Sequence, residues 1–72
     1  MIKNDHELEA TIDRIRYFQQ QVEKLRQVEI NPQNYRLSAG GYLAEIDRMN
    51  VEIREYLWLH PSELTYSMHT SL

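Results

Sequence analysis

The chain has 72 residues, a mass of 8.7 kDa and a formal net charge of −3, so it forms one small domain at most. It contains no cysteine, which excludes disulfide bridges and zinc sites built from thiolates. No apolar run approaches the ~20 residues that cross a bilayer, and the N-terminal residues lack the apolar core of a secretory signal, so we expect a cytoplasmic protein without membrane contact.

The first predicted element is a helix from about 4 to 28. Helices are favoured because Gly and Pro together make up only four residues. Asn4 or Asp5 serves as the N-cap, and acidic residues follow in the first turn, where the helix dipole favours them. The apolar residues repeat in sevens, as they do in helices of bundles and coiled coils. This stripe contains Leu8, Thr11, Ile15, Phe18, Val22 and Leu25, and it is widened by Ile12 and Val28.

A connector is predicted from about 29 to 35. Pro32 disfavours helical geometry at Asn31 and donates no backbone hydrogen bond, which favours a break at this point. Alternatively, Pro32 opens the next helix as its first residue and Asn31 caps that helix.

The second predicted helix extends from about 36 to 59. Gly40 and Gly41 are unfavourable in it, since each costs ~1 kcal/mol relative to Ala. The apolar spacing nevertheless stays in phase across them, so we expect the helix to continue through both glycines. The stripe of this helix consists of Ala39, Tyr42, Leu43, Ile46, Met49, Ile53, Tyr56 and Leu57.

Residues 61–72 form the last predicted part, a tail. Pro61 biases His60 away from helical geometry and ends the second helix, although one further turn after Pro61 is compatible with the sequence. The following residues are rich in Ser and Thr, which favour loops. We expect this tail to lie outside the core, and a competing interpretation makes it an arm that packs on a neighbouring chain.

The expected fold is all-α, an antiparallel two-helix hairpin over residues 1–60. A lone pair of helices buries one stripe of each helix, and apolar residues make up 42% of this chain. The economical way to cover the remaining apolar residues is a second copy of the chain. We therefore expect homodimerisation into a four-helix bundle, with the stripe residues as core or oligomer interface.

No catalytic, cofactor-binding or metal-binding constellation is recognisable. His6-Glu7-Leu8-Glu9-Ala10 lacks the second His of a zinc-protease helix, and no Glu has a His three residues later, as di-iron bundles require. His60 and His69 are separated by Pro61 and are expected to be solvent-exposed or packed. The sequence therefore predicts a protein that is not an enzyme.

The aromatic residues of the second helix are its most unusual feature. Tyr35, Tyr42 and Tyr56 lie along one face with Met49. The favoured interpretation is a buried interface whose hydroxyl groups reach water or a neighbour, and the alternative is a binding surface for another protein. Trp58 lies off the stripe, so together with Tyr35 it marks a candidate partner surface.

Met1-Ile2-Lys3-Asn4, the Thr11-Ile12…Phe18 stripe and the Glu45-Ile46-Asp47…Glu52-Ile53-Arg54-Glu55-Tyr56 segment resemble small bacterial helical-hairpin proteins. In that group the hairpin often precedes a Cro/CI-type helix-turn-helix in antitoxin-like regulators of toxin–antitoxin operons. The resemblance covers about residues 1–59, and the chain departs from the pattern in having only a short tail after Pro61. The resemblance implies an oligomerisation or partner-binding hairpin, with a toxin as one kind of partner.

Three functions compete at this point. The first is a non-enzymatic interaction or oligomerisation module, antitoxin-like or regulatory. The second is a small transcriptional regulator, which requires Arg14, Arg16, Arg48 and Arg54 to converge on one face of the oligomer. The third, a small enzyme or metal-binding bundle, is least favoured because the motifs are missing. The negative net charge argues against nucleic-acid binding by the chain alone.

Overall fold

The computed structural model describes residues 1–63, and this part of the chain is an all-helical hairpin without strands. Helix α1 spans Asp5–Val28 and helix α2 spans Pro32–Trp58. Contacts between the start of α1 and the end of α2 show that the helices are antiparallel. The predicted helical hairpin is confirmed. Of the predicted tail 61–72, residues 61–63 form a further helical turn, and the expectation about residues 64–72 lies outside the described residues.

The start of α1 is held by reciprocal hydrogen bonds. The Asn4 side chain accepts a hydrogen bond from the backbone N–H of Glu7 at 2.8 Å. In return, the Glu7 carboxylate accepts one from the backbone N–H of Lys3 at 2.8 Å. Asp5 and Glu7 place negative charge in the first turn, where the exposed N–H groups favour it. Asn4 is therefore the N-cap of α1.

The connector is shorter than the predicted segment 29–35. The Asn31 side chain accepts hydrogen bonds from the backbone N–H groups of Gln33 at 2.9 Å and Asn34 at 3.1 Å, and Pro32 is the first residue of α2. Proline suits this position because its fixed φ is helical and its missing N–H is not needed there. Helix α2 thus begins at Pro32 rather than near 36, and three residues, 29–31, connect the helices.

Helix α2 continues through Gly40 and Gly41, as the apolar spacing predicts. Both glycines are exposed, and a Cβ atom built on either would meet nothing within 4 Å. Packing within the hairpin therefore requires neither glycine.

The core lies between the two helices at mid-length. Ile15 of α1 packs with Ile46 and Met49 of α2, and Phe18 and Ile53 pack against this cluster. Ala39 is 1% exposed and lets the helices approach closely towards the connector. The Phe18 ring also meets the Tyr42 ring at a centroid distance of 5.5 Å and an interplanar angle of 57°. The remaining stripe residues of α1 are half-buried: Leu8, Thr11, Val22 and Leu25.

We predict that Ile46→Ala destabilises the hairpin by about 2–5 kcal/mol, because it removes buried methyl groups and leaves a cavity beside Ile15 and Met49. Urea or thermal unfolding followed by circular dichroism measures the change. Leu37→Ala is the control, since it removes the same number of atoms from a side chain that is 76% exposed. An unchanged Tm for Ile46→Ala would contradict the assigned core.

Candidate interaction surface

The open end of the hairpin, opposite the connector, is closed by a polar contact. The Tyr56 hydroxyl donates a hydrogen bond of 2.6 Å to the Asp5 carboxylate, joining the last part of α2 to the first residue of α1. The Tyr56 side chain is buried. The hydrogen bond to Asp5, with burial and the carboxylate charge, raises the pKa of Tyr56 above its usual value. Tyr56 therefore stays protonated and holds the two helix ends together.

The residues before α1 also pack against the end of α2, which the helical periodicity does not predict. Ile2 is buried beside a pocket of about 390 Å³ whose lining includes Glu52, Tyr56 and Leu59. The α-amino group of Met1 lies 3.0 Å from the Glu52 carboxylate, and this hydrogen bond lowers the pKa of Glu52. Ile2 lies outside both helices, so no repeat in the sequence marks it as buried.

The aromatic face of α2 points mainly towards α1. Met49 and Tyr56 are buried in the hairpin, Tyr42 is half-buried against Phe18, and Tyr35 is half-buried. These contacts account for the Tyr42, Met49 and Tyr56 positions by packing within one chain. Burial within one chain thus explains Met49 and Tyr56, and the alternative interpretation, in which this face binds another protein, stays a prediction.

Three stripe residues do not reach the hairpin core. Ile12 is 36% exposed, Leu43 47% and Leu57 62%. Each follows a stripe position by one residue, and one residue rotates a side chain by ~100° about the helix axis. They consequently lie beside the helix contact rather than in it. Val28, at the end of α1, is also exposed.

These three residues share one side of the hairpin, which we call the apolar flank (Ile12, Leu43 and Leu57). In an antiparallel pair, the residues that follow equivalent stripe positions on the two helices fall on the same side. The opposite side carries Glu7, Arg14, Glu45 and Glu52 at the corresponding positions, and Val28 and Leu59 lie on it only at the ends of the helices. The apolar flank is therefore the side better suited to apolar packing along the middle of the hairpin.

The side of α2 that faces away from α1 carries a second apolar row. Trp58 is the one residue of this row among the sequence-predicted surface residues. We call this row the outer row, and it consists of Leu37, Ala44, Val51 and Trp58, all exposed, with Trp58 at 84%. The seven-residue spacing of the row was visible in the sequence. The equivalent positions of α1 are all polar: His6, Asp13, Gln20 and Gln27.

Three of the four arginines that the regulator hypothesis requires lie beside acidic side chains. Arg48 forms ion pairs with Glu45 at 2.6 Å and Glu52 at 2.8 Å, and these contacts raise its pKa. Arg16 lies 3.6 Å from Asp13 on α1. Arg14 and Arg16 are two residues apart, so they point to different sides of α1. Besides the α-amino group of Met1, Arg48 and Arg14 both act on the Glu52 carboxylate and lower its pKa, so the arginines of α1 and α2 that come near one another share an acidic neighbour.

The described residues contain no group of three or more His, Cys, Asp or Glu side chains that could hold a metal ion. His60 is exposed, and its Nδ1 atom lies 2.8 Å from the Ser62 hydroxyl in the turn after α2. His69 lies outside the described residues. Neither α1 nor α2 is long and apolar enough to cross a membrane.

Comparisons with protein families, with curated proteins and with solved structures found no match for this chain.

We predict that Tyr56→Phe lowers the Tm at neutral pH and that the difference from wild type shrinks at alkaline pH. The folded state raises the pKa of Tyr56, so the stabilisation is present below the usual tyrosine pKa of about 10 and is lost as pH rises through the folded-state value. Thermal melts from pH 7 to pH 11 measure this.

Tyr17→Phe is the matched control for that experiment, because Tyr17 is exposed and makes only a ring contact with Phe18. A difference between wild type and Tyr56→Phe that stays constant across the alkaline range would contradict the assigned hydrogen bond.

We also predict no sub-micromolar binding of the purified chain to duplex DNA. The net charge is −3, and phosphate contacts by Lys and Arg supply most non-specific affinity. Fluorescence anisotropy at several salt concentrations measures the binding. Tight, salt-sensitive binding would contradict the prediction and favour the regulator.

Proposed function

We propose that this chain is a non-enzymatic interaction module that works as a self-associating helical hairpin. The observation that carries the proposal is the apolar flank. Exposed Ile and Leu side chains gathered on one side of a small domain favour contact with another protein surface, because burial removes their apolar area from water. The charged opposite side directs this association to one side of the hairpin.

The partner in this proposal is a second copy, and the assembly is a four-helix bundle with two-fold symmetry. Two hairpins that join by their apolar flanks bring Ile12, Leu43 and Leu57 of each copy into a shared interior. The core of one copy is small: within residues 1–63 its central buried cluster consists of Ile15, Ile46 and Met49, with Phe18 and Ile53 packed against it. Association supplies the additional buried apolar area that small domains need.

The resemblance to antitoxin-like hairpins extends this proposal to a protein partner such as a toxin. The assembled hairpin would then act by holding that partner through apolar side chains that the two-fold contact leaves exposed. Tyr35, half-buried near the connector, is the candidate residue for such a surface. Trp58, exposed at the end of α2 in one copy, belongs to that surface only if the two-fold contact leaves its ring uncovered.

We predict that the wild-type chain is a dimer in light scattering at micromolar concentration and that Leu43→Glu makes it monomeric. A charge on the apolar flank would have to be buried in the dimer, which is costly without a partner. Helix content by circular dichroism should remain, because Leu43 is partly exposed in one copy.

The control is Leu37→Glu, which places the same charge on α2 away from the apolar flank. It should leave the dimer intact. If light scattering gives the wild type a particle mass of 8.7 kDa, that of one chain, and the protein melts cooperatively, the hairpin does not self-associate.

A further inference from the structure

We propose that the two copies join through α2, which packs antiparallel on the partner's α2 about a two-fold axis between Asn50 and Val51. Each Asp47 then pairs with the partner's Arg54. This inference rests on the proposed self-association and adds to it the helix, the orientation and the register of the contact.

The first argument is an unused pair of opposite charges. Asp47 and Arg54 are both exposed and lie seven residues apart, close to the same side of α2. Within residues 1–63 neither forms an ion pair, whereas Arg48 on the same helix forms two. Asp47 and Arg54 lie at equal distances from the proposed axis. An antiparallel partner therefore places its Arg54 opposite Asp47 and its Asp47 opposite Arg54.

The second argument is that the apolar residues are also placed nearly symmetrically about the proposed two-fold axis. Leu43 and Leu57 lie at nearly equal distances on either side of it, so each Leu43 meets the partner's Leu57. Ala44 and Trp58 are related in the same way. The large Trp58 ring therefore lies against the small side chain of the partner's Ala44. Val51 lies beside the axis and meets its own copy. Side chains that lie at equal distances on either side of the two-fold axis face one another across an antiparallel helix contact.

The third argument is that repulsion between like charges disfavours the other possible arrangements of the two α2 helices. A parallel pair would place Asp47 opposite Asp47 and Arg54 opposite Arg54. An antiparallel pair shifted by one seven-residue repeat would bring together either the two Asp47 or the two Arg54 side chains. Like charges in an interface are strongly unfavourable, and ion pairs between helices commonly set register and orientation.

The occupant of this surface is a second copy of the chain, because the residues of the contact and the residues that complement them all lie on α2 itself. Each charge has its opposite, and each apolar residue of the contact has its counterpart, at a symmetric position of the same helix. A different protein would have to reproduce this pattern independently. The surface also links the apolar flank, through Leu43 and Leu57, with the outer row, through Ala44, Val51 and Trp58.

The test uses two charge-reversing variants of the full chain, Asp47→Arg and Arg54→Asp. Each variant places like charges opposite one another in its own dimer, and we expect each to dimerise at least about tenfold more weakly than wild type. Mixed in equal amounts, the two variants restore both ion pairs, and we expect a heterodimer close to wild-type affinity. Sedimentation equilibrium on each sample and on the mixture measures this.

Trp58 supplies a second measurement, since it is the single tryptophan of the chain and is 84% exposed in one copy. Its emission should shift to shorter wavelength as the wild type dimerises, and again on mixing the variants. Asp13→Arg and Arg16→Asp are the controls. They reverse the same charges on α1, away from the contact, and should leave dimerisation unchanged.

The outcomes separate this inference from the proposed function. If wild type dimerises and the two variants do so equally well, the α2 pairing is overturned and self-association stands. Weakened variants that fail to recover on mixing also overturn the pairing. A wild-type chain that is monomeric at all concentrations overturns both proposals and leaves the surface of α2 to a different protein.

Discussion

In a pair of helices, each helix buries one face against the other helix. Its remaining sides are exposed to water unless another part of the protein or another molecule covers them. In this hairpin the outer side of α1 is polar, and the large apolar residues of α1 that stay exposed are Ile12, Tyr17 and Val28. Helix α2 exposes more of them, because Leu43 and Leu57 lie beside its stripe and the outer row lies behind it. The excess of apolar surface is thus concentrated on one of two helices of similar length. This imbalance is the physical basis of the proposed association and of the choice of α2 as the contact helix.

The two ends of the hairpin are held by different chemistry. At the connector, the Asn31 side chain accepts two backbone hydrogen bonds, so the chain reverses direction within three residues. At the open end, the Tyr56 hydroxyl and the Asp5 carboxylate join the helices by a hydrogen bond of 2.6 Å. The apolar cluster around Ile46 lies between these polar contacts. These polar contacts at both ends define the register of the two helices and, with it, the alignment of the side chains of α2.

The helices and most of their contact could be predicted because a repeat of seven marks the face that each helix buries. Ile15, Ile46 and Met49 follow this repeat and form the core. The start of α2 differs from the sequence prediction because proline both breaks a helix and suits its first position, and at Pro32 the second property decides. Ile2 could not be predicted, since its burial depends on how an extended segment folds back over α2. The widened stripe combines two environments, and only the structure separates the exposed Leu43 and Leu57 from the half-buried Tyr42 and the buried Tyr56.

The antiparallel arrangement also determines the order in which the hairpin closes. Contacts near Asn31 join residues that are close in sequence, whereas Asp5 and Tyr56 are 51 residues apart. The entropy lost on closing a loop grows with its length, so contacts form first beside the connector and proceed towards the open end. The polar contact of Tyr56 and the packing of Ile2 are then the last to form and the first to open. Local opening at that end would expose Leu57 further while the helices remain joined at the connector. In the proposed dimer, such opening would allow subunits to exchange without complete unfolding.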